Sequence, residues 1–337
     1  MSNGGIFVGG IVGISLLVIV PLVIVLSVNG YYGPIYYQIL TASPVTLEPS
    51  TAYPSLQPTI SLSPTTLQPT SSFASLPLYS IEITYGDTYS SEVIGAVEYS
   101  VSSWQSVIAA PLDTFVTLVP GNWCGYIVTE PTIIMDLRVH ISVYSIDGVG
   151  NILGQAGYCA IDNNNFPRFG IITLDLSDVN SMILDGTLNE VMRHEMGHVL
   201  GIGTVWSSGT TFTESGAGSG HPYLLPFANQ AHQSLGGTGS ARVEDEGGVG
   251  TAGAHWKETL YDHELMTGFV DPGGPMPLSN LTVSALHDLG YQVVNENAEN
   301  YILPSRRRRL RPTLRRYYHH CTDSVLSTYV ITSLKKK

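Results

Sequence analysis

The hydrophobic residues follow three different patterns along the chain, and each pattern predicts a different kind of structure. Ile6 to Val28 is a run of 23 residues without a charge, which at ~1.5 Å per residue is long enough to cross the ~30 Å core of a bilayer. Residues 41–77 are rich in Ser, Thr and Pro and show no apolar periodicity. From about residue 80 onward, strand-like and helix-like periodicities alternate, as they do in a folded domain.

The apolar run predicts a membrane anchor in residues 1–30. A cleaved signal peptide is the alternative, but its apolar region usually has ~7 to 15 residues and follows a basic residue. No basic residue precedes this run. The Ser/Thr/Pro-rich segment, 31–79, predicts an extended stalk, because regular prolines favour polyproline II and this composition cannot build a core. The two predictions place a folded domain outside the cell or in a lumen; a secreted protein is the alternative.

The periodic part, residues 80–300, predicts one folded domain of the α+β class. Its first half has strand patterns at 81–85, 133–146 and 170–176 and an amphipathic helix pattern at 91–109. Several strands that accompany one helix predict a mixed sheet.

The second half of this domain contains a long glycine-rich segment. About fifty residues after Gly203 have no periodicity of either kind, which is typical of a functional or disordered loop. Beyond it, Ser279 predicts the N-cap of a helix over Asn280–Leu289, which Gly290 would end.

Between these halves lies an amphipathic segment, Leu188–Gly203, with the sequence LNEVMRHEMGHVLGIG. Its apolar residues recur at helical spacing. Thr187 and Glu190 predict a capping box at its start, and Gly201 is expected to end it.

This predicted helix contains the pattern HExxH. His194 and His198 are four residues apart, so a helix presents both imidazoles on one face, where they can bind one metal ion. Glu195 adjoins the first of them, in the position that a general base takes in zinc hydrolases. Two ordinary core histidines are the alternative, but Glu195 would then be a buried charge without compensation. The pattern therefore predicts a zinc hydrolase.

A catalytic zinc ion usually has three protein ligands and keeps a fourth position for water, so one more ligand is needed. The residue six positions after His198, where metzincins with a short spacer have a histidine, is Thr204. The third ligand must therefore come from later in the chain. The candidates are His221, His232, His255, His263, His287, Glu214, Glu244 and Glu246.

Charged residues make up only 12% of the chain and are unevenly distributed. The tail, 301–337, has ten basic residues and one acid, Asp323, whereas the first 305 residues have 5 basic residues and 26 acids. An acidic domain argues against nucleic acid as its partner. The aperiodic tail predicts a disordered segment that binds anionic lipid, polysaccharide or the acidic domain, or that has no partner.

The three cysteines are too few for a disulfide scaffold. A bridge between Cys124 and Cys159 is expected if the domain is exported, and two buried free thiols are the alternative. No cysteine precedes Cys124, so a latency switch based on an upstream cysteine is not expected.

Several motifs in the segment 80–293 occur in a fixed order. HEMGHVLGIG is followed, after the long insert, by a histidine–tryptophan pair at His255, by ELMTG at Glu264–Gly268, and by LSNLTVSALHDLGY at Leu278–Tyr291. This set resembles the leishmanolysin family of metzincin metalloproteases. The resemblance implies a metzincin-type mixed β-sheet with an active-site helix and a C-terminal subdomain that contains a Met-turn. It also implies that His255 is the third zinc ligand and that Met266 is the Met-turn residue beneath the imidazoles.

The resemblance extends upstream to residues 146–157, IDGVGNILGQAG. There it implies an edge strand along which an extended substrate pairs through main-chain hydrogen bonds. The residues concerned are Ile152, Leu153, Gly154 and Gln155. An ordinary edge strand without this role is the alternative, and Asp147 with Asn151 could instead hold a structural calcium ion.

The pattern and the resemblance predict a membrane-anchored zinc endopeptidase in which Glu195 is the general base for a zinc-activated water. Its partners would be protein or peptide substrates and, through the anchor, a membrane. Two other functions stay open. One is a non-catalytic surface or adhesion protein that keeps the fold, and the other is a zinc hydrolase of a different amide.

Overall fold

The computed structural model describes residues 78–304, except 215–217, 249 and 271–273, together with two short strands in the basic tail. The predicted anchor and almost all of the predicted stalk lie outside the described residues. Within the described part of the chain, none of the helices is long and apolar enough to cross a membrane.

The structure is a mixture of α-helices and β-strands, as predicted. In chain order the strands are β1 (Ile81–Tyr85), β2 (Thr114–Leu118), β3 (Gly121–Trp123), β4 (Tyr126–Val128), β5 (Thr132–Ile134), β6 (Leu137–Tyr144), β7 (Gly154–Ile161), β8 (Pro167–Asp175), β9 (His221–Pro222), β10 (Arg242–Val243), β11 (Phe269–Val270), β12 (Arg316–Tyr317) and β13 (Leu334–Lys335). The helices are α1 (Ser91–Val107), α2 (Val179–Asp185), α3 (Leu188–Val199), α4 (Pro226–Ser234), α5 (Glu258–Tyr261) and α6 (Asn280–Asp288), and a 3₁₀ turn follows at Asn295–Asn297.

The largest sheet has four strands in the order β1-β6-β8-β7. The first three strands are parallel to one another, and β7 runs antiparallel to β8. β7 is therefore an outer strand of a mixed sheet. In the tail, β12 pairs with β11 and β13 pairs with β2, both antiparallel; the rest of the predicted disordered tail lies outside the described residues.

Both faces of this sheet are covered. Phe169 and Ile172 are three residues apart on β8, so their side chains point to opposite faces. Ile172 belongs to the larger core, which includes residues of α1, α3 and α6. Phe169 belongs to a smaller core formed with the short strands β2 to β5. Gly170 allows α3 to approach closely, since a Cβ there would lie 2.5 Å from Cγ1 of Val199.

Helix α1 confirms the amphipathic pattern predicted for 91–109. The hydroxyl of Ser90 accepts a hydrogen bond from the amide of Val93 and caps the helix. One face is buried against α3, where the indole Nε1 of Trp104 donates to the carbonyl oxygen of Arg193 at 2.9 Å. This contact fixes the position of the helix that contains HExxH.

The other two predicted helices begin and end close to the predicted residues, but one predicted cap is wrong. Ser279 caps α6 by accepting from the amide of Leu281 at 3.2 Å, as expected. Thr187 precedes α3 but forms no side-chain cap. Its hydroxyl instead donates to Oδ1 of Asp185 at 2.6 Å, so the predicted capping box with Glu190 does not form.

The strand predicted over 133–146 is two strands, β5 and β6. Between them, the carboxylate of Asp136 accepts hydrogen bonds from the amides of Ser80 at 2.9 Å and Leu112 at 2.7 Å. These bonds hold a turn that separates the two strands. The side-chain alternation of the sequence does not show this, because both donors are distant in the chain.

Cys124 and Cys159 form a disulfide, with 5.8 Å between their Cα atoms. It joins the tight turn between β3 and β4 to β7. The structure therefore contains the bridge and not the two free thiols. Cys321 lies outside the described residues.

Candidate metal centre

Three histidines meet beside the sheet. His194 and His198 come from α3, and His255 comes from the loop between β10 and α5, at the end of the glycine-rich insert. The Nε2–Nε2 distances are 2.9 Å between His194 and His198, 3.1 Å between His198 and His255, and 3.2 Å between His194 and His255. All three side chains are fully buried.

The opposite nitrogen of each ring points at a main-chain carbonyl oxygen. Nδ1 of His194 lies 2.7 Å from the oxygen of Leu265, Nδ1 of His198 lies 2.8 Å from that of Ile202, and Nδ1 of His255 lies 3.0 Å from that of Thr251. A carbonyl oxygen only accepts, so each Nδ1 carries the proton and each Nε2 presents a lone pair.

Three lone pairs directed at one point repel one another unless a cation lies between them. Three neutral imidazoles with protonated, hydrogen-bonded Nδ1 atoms are a typical donor set for zinc, which binds such nitrogens at ~2.0–2.1 Å. Among the described residues these three histidines form one of two groups with metal-ligand spacing. The residues present therefore fit a zinc ion.

Backbone pairing places His255 at this site. The carbonyl oxygen of His255 accepts from the amide of Glu244 at 2.8 Å, and the amide of the next residue, Trp256, donates to Met266 at 2.9 Å. The indole Nε1 of Trp256 also donates to the hydroxyl of Thr282 at 2.8 Å. The third histidine is thus held between the insert on one side and the segment around Met266 on the other.

Glu195 lies in α3 next to His194 and is fully buried. Neither of its carboxylate oxygens has a hydrogen-bond partner among the described residues. Burial raises the pKa of this carboxyl well above its ordinary value. Its Oε1 lies 3.0 Å from the position that a Cβ on Gly154 would occupy.

This contact brings Glu195 to the beginning of the outer strand. Gly154 and Gln155 are the first residues of β7, whereas Ile152 and Leu153 precede it. No strand in the described part of the chain pairs with the outer side of β7. Gly154, one of the four residues predicted to form a substrate edge, is therefore next to the buried carboxylate.

Met266 packs against the middle of the HExxH motif. A Cβ on Gly197 would lie 2.6 Å from its Sδ. The turn before Met266 is held by the buried carboxylate of Glu264, which accepts from the amide of Met266 at 2.7 Å and from the hydroxyls of Ser279 and Thr282 at 2.7 and 2.6 Å. Burial raises the pKa of Glu264 to about 7, and these hydrogen bonds oppose the rise.

The sequence profile of leishmanolysin matches residues 126–305, which is more than half of the chain. The chain belongs to the leishmanolysin family.

Individual relatives agree with this assignment. The chain is 30% identical over 172 residues to a leishmanolysin homolog of Crithidia fasciculata, covering 47% of this chain and 25% of that protein. It is 28% identical over 189 residues to leishmanolysin of Leishmania donovani, and this match covers 52% of this chain and 31% of that protein. A ciliated left-right organizer metallopeptidase of Xenopus laevis is 22% identical over 173 residues, and this match covers 45% of this chain and 24% of that protein. The matched region thus spans a third or less of each of these relatives.

The other candidate ligands of this leishmanolysin-family chain have different surroundings. Nδ1 of His232 lies 3.0 Å from the hydroxyl of Tyr261. His221 stacks on Phe212, and His287 stacks on Phe227. The remaining candidates lie outside the group formed by the three histidines, and they are His263, Glu214, Glu244 and Glu246.

The predicted calcium site at Asp147 and Asn151 is not supported. Among the described residues, two groups of histidine or acidic side chains have the spacing of metal ligands, and Asp147 belongs to neither of them. Its Oδ1 accepts from the amide of Ile152 at 3.3 Å. The loop is held instead by Asp175 and Asp178, which accept hydrogen bonds from its backbone amides.

Sequence reasoning missed the close approach of Gly154 to Glu195 and the three carbonyl oxygens that accept from the Nδ1 atoms. The carbonyls carry no side-chain signal, so only the folded backbone reveals them. Gly154 could have been noticed as a glycine within a strand pattern, which often marks a close approach of another group.

Gly197 is required for close packing in this leishmanolysin-family centre. We expect Gly197→Ala to lower the free energy of unfolding by about 1–3 kcal/mol, because its Cβ would overlap Met266 and would lie 2.8 Å from Cζ2 of Trp104. The matched control is Gly95→Ala in α1, where a Cβ meets no atom within 4 Å. That change should stabilise the helix by about 0.5–1 kcal/mol. Denaturant unfolding of both variants measures the difference, and equal effects would contradict the close packing.

Proposed function

We propose that this chain is a zinc-dependent endopeptidase. The observation that carries the proposal is the convergence of three imidazole Nε2 atoms within 3.2 Å of one another, beside a buried carboxylate without a partner among the described residues. Membership of the leishmanolysin family supports the same activity.

In the proposed mechanism His194, His198 and His255 would hold the zinc ion through Nε2. The ion would supply Lewis-acid chemistry there, which would lower the pKa of a water molecule and polarise the carbonyl group of the substrate. Glu195 accepts a proton from the attacking water at its carboxylate and delivers it to the nitrogen of the leaving amine. Burial raises the pKa of this carboxyl, which makes its ionised form a stronger base for that proton.

We further propose that the substrate lies extended along the outer side of β7. Extended peptides add to a free strand edge through main-chain hydrogen bonds. The contact between Gly154 and Glu195 would place the cleaved bond near the general base. Met266 would serve as the apolar floor beneath the imidazoles, which its contact with Gly197 supports.

Export to an oxidising compartment is part of the proposal. Disulfides persist in such compartments and are rare in the cytosol, so the bridge between Cys124 and Cys159 supports it. The membrane anchor and the stalk remain predictions from the sequence.

The activity is tested with the purified full-length chain and a denatured protein as substrate. We expect cleavage that stops when a chelator removes the metal and returns when zinc is restored. A folded, zinc-loaded chain that cleaves no protein or peptide would contradict the proposal and favour a surface or adhesion role. Hydrolysis of small amides alone would favour a hydrolase of another class.

Gly154→Ala is expected to lower kcat for peptide hydrolysis by about 10- to 100-fold, because a displaced catalytic group loses alignment steeply with distance. The added Cβ would lie 3.0–3.3 Å from three atoms of the Glu195 side chain. Bound zinc should not change, since no ligand is moved.

The control for this variant is Gly121→Ala in β3, where a Cβ would be 3.8 Å from its nearest neighbour. Its kcat should equal that of the wild type. Unchanged kcat in Gly154→Ala would show that the glycine is not needed beside the general base.

A further inference from the structure

The glycine-rich insert is attached to the metal centre through one buried ammonium group. Lys257 follows His255 by two residues, and its side chain is 1% exposed. Its Nζ donates to Oε1 of Glu244 at 2.7 Å, to the carboxylate of Asp245, and to Oε2 of Glu246 at 2.8 Å. Three consecutive acidic residues of the insert therefore surround one lysine.

These acidic residues form the second group with metal-ligand spacing among the described residues, but the lysine ammonium lies among their oxygens. The side chains of Glu244 and Asp245 are 3% and 1% exposed. Buried carboxylates need a cation or several hydrogen bonds to remain ionised. Lys257 supplies that cation. Burial acts to lower the pKa of Lys257, but the hydrogen bonds of the three carboxylates outweigh burial and raise that pKa above its ordinary value.

The same residues pair with the segment that contains His255. The amide of Glu244 donates to the carbonyl oxygen of His255, and the amide of Lys257 donates to that of Arg242, both at 2.8 Å. Between these two bonds, Val243 forms an antiparallel bridge with Trp256. The ion pairs and the backbone pairing thus hold residues 242–246 against residues 255–257.

We propose that Lys257 is a positioning residue that fixes the third ligand, His255, by clamping the insert to its segment. This inference rests on the metal centre proposed above. His255 is separated from His198 by 56 intervening residues, so its position is not set by a shared helix. Loss of the lysine would remove the ion pairs that join the two segments and would leave buried carboxylates of the insert without a compensating charge.

The test compares the metal affinity of full-length variants by competition with a chromophoric chelator. Lys257→Met is expected to bind zinc about 10-fold more weakly than the wild type, in the range seen when the support of a ligand is lost. With cobalt in place of zinc, its visible absorption spectrum should differ from that of the wild type, because the ligand geometry changes. Lys257→Arg, which keeps the charge, should recover part of the affinity.

Arg168→Met is the control for general loss of stability. Arg168 forms a fully buried ion pair with Asp162 and also bonds the carbonyl oxygens of Thr114 and Met135. Its loss should lower Tm, while the folded protein keeps the wild-type zinc affinity and cobalt spectrum. Equal weakening in Arg168→Met and Lys257→Met would overturn the positioning role.

A double variant keeps the test decisive if Lys257→Met does not fold. Asp245→Asn/Lys257→Met removes one buried carboxylate charge more than Lys257→Met alone. Glu244 still accepts from the amides of residues 245, 246 and 258. We expect it to fold and to bind zinc about 10-fold more weakly. Wild-type zinc affinity in Lys257→Met or in the double variant would refute the positioning role of Lys257 and leave the metal centre standing. A wild-type chain that binds no zinc would refute the metal centre itself.

Discussion

Replacing Glu195 by glutamine is expected to lower kcat/KM for peptide hydrolysis by about 10²- to 10⁴-fold, the usual contribution of a general base. Glutamine has the same shape as glutamate but cannot accept and return a proton at neutral pH. Zinc should remain bound in one equivalent, because the three imidazoles are unchanged. The measurements are steady-state kinetics on a peptide and the zinc content of the purified variant.

The structure also predicts the effect of this substitution on stability. A carboxylate buried without a partner costs more than a buried amide, and both oxygens of Glu195 lack a partner among the described residues. Glu195→Gln should therefore unfold at a temperature equal to or above that of the wild type. Glu92→Gln, at an exposed position in the first turn of α1, serves as the control and should keep full activity. Wild-type turnover in a folded, zinc-loaded Glu195→Gln variant would remove the proposed mechanism.

The part of the site carried by α3 could be predicted because its information is local. His194 and His198 share a helix face through a spacing of four residues, and the helix follows from its apolar pattern. The structure confirms the helix and brings the two imidazoles together. The predicted capping box at Thr187 does not form, because the sequence around Thr187 allows more than one local hydrogen bond for its hydroxyl. The hydroxyl of Thr187 had two nearby partners, and it bonds Asp185.

The third ligand of the site comes from a distant segment, and the spacing of residues in the sequence did not identify it. Eight residues remained candidates for the third ligand, and only the resemblance to leishmanolysins selected His255. The structure brings it to α3 through backbone hydrogen bonds of His255 with Glu244 and of the adjacent Trp256 with Met266. Glu244 and Met266 lie 11 residues before and after His255. Such pairings depend on the whole fold, as does the turn at Asp136 that divides the strand predicted over 133–146.

His255→Ala is the second decisive substitution. We expect its zinc affinity to fall by more than about 100-fold, since loss of a residue that merely supports a ligand already costs about 10- to 100-fold. Peptide hydrolysis should fall with the bound zinc, because the site would retain two of the three ligands that a catalytic zinc requires. Zinc competition and kcat/KM at a fixed zinc concentration measure the two effects.

His263→Ala is the matched control, because His263 is close in sequence but outside the group of three. Its side chain is 30% exposed and faces the carboxylate of Asp262 and the ring of Tyr301. Its removal should leave zinc affinity and hydrolysis unchanged. If His263→Ala lost zinc and activity while His255→Ala kept both, the third ligand would be His263. The backbone pairing around His255 would then not position a ligand. If both lost zinc equally, the loop from 255 to 266 would act as a unit whose stability, more than any single imidazole, holds the metal.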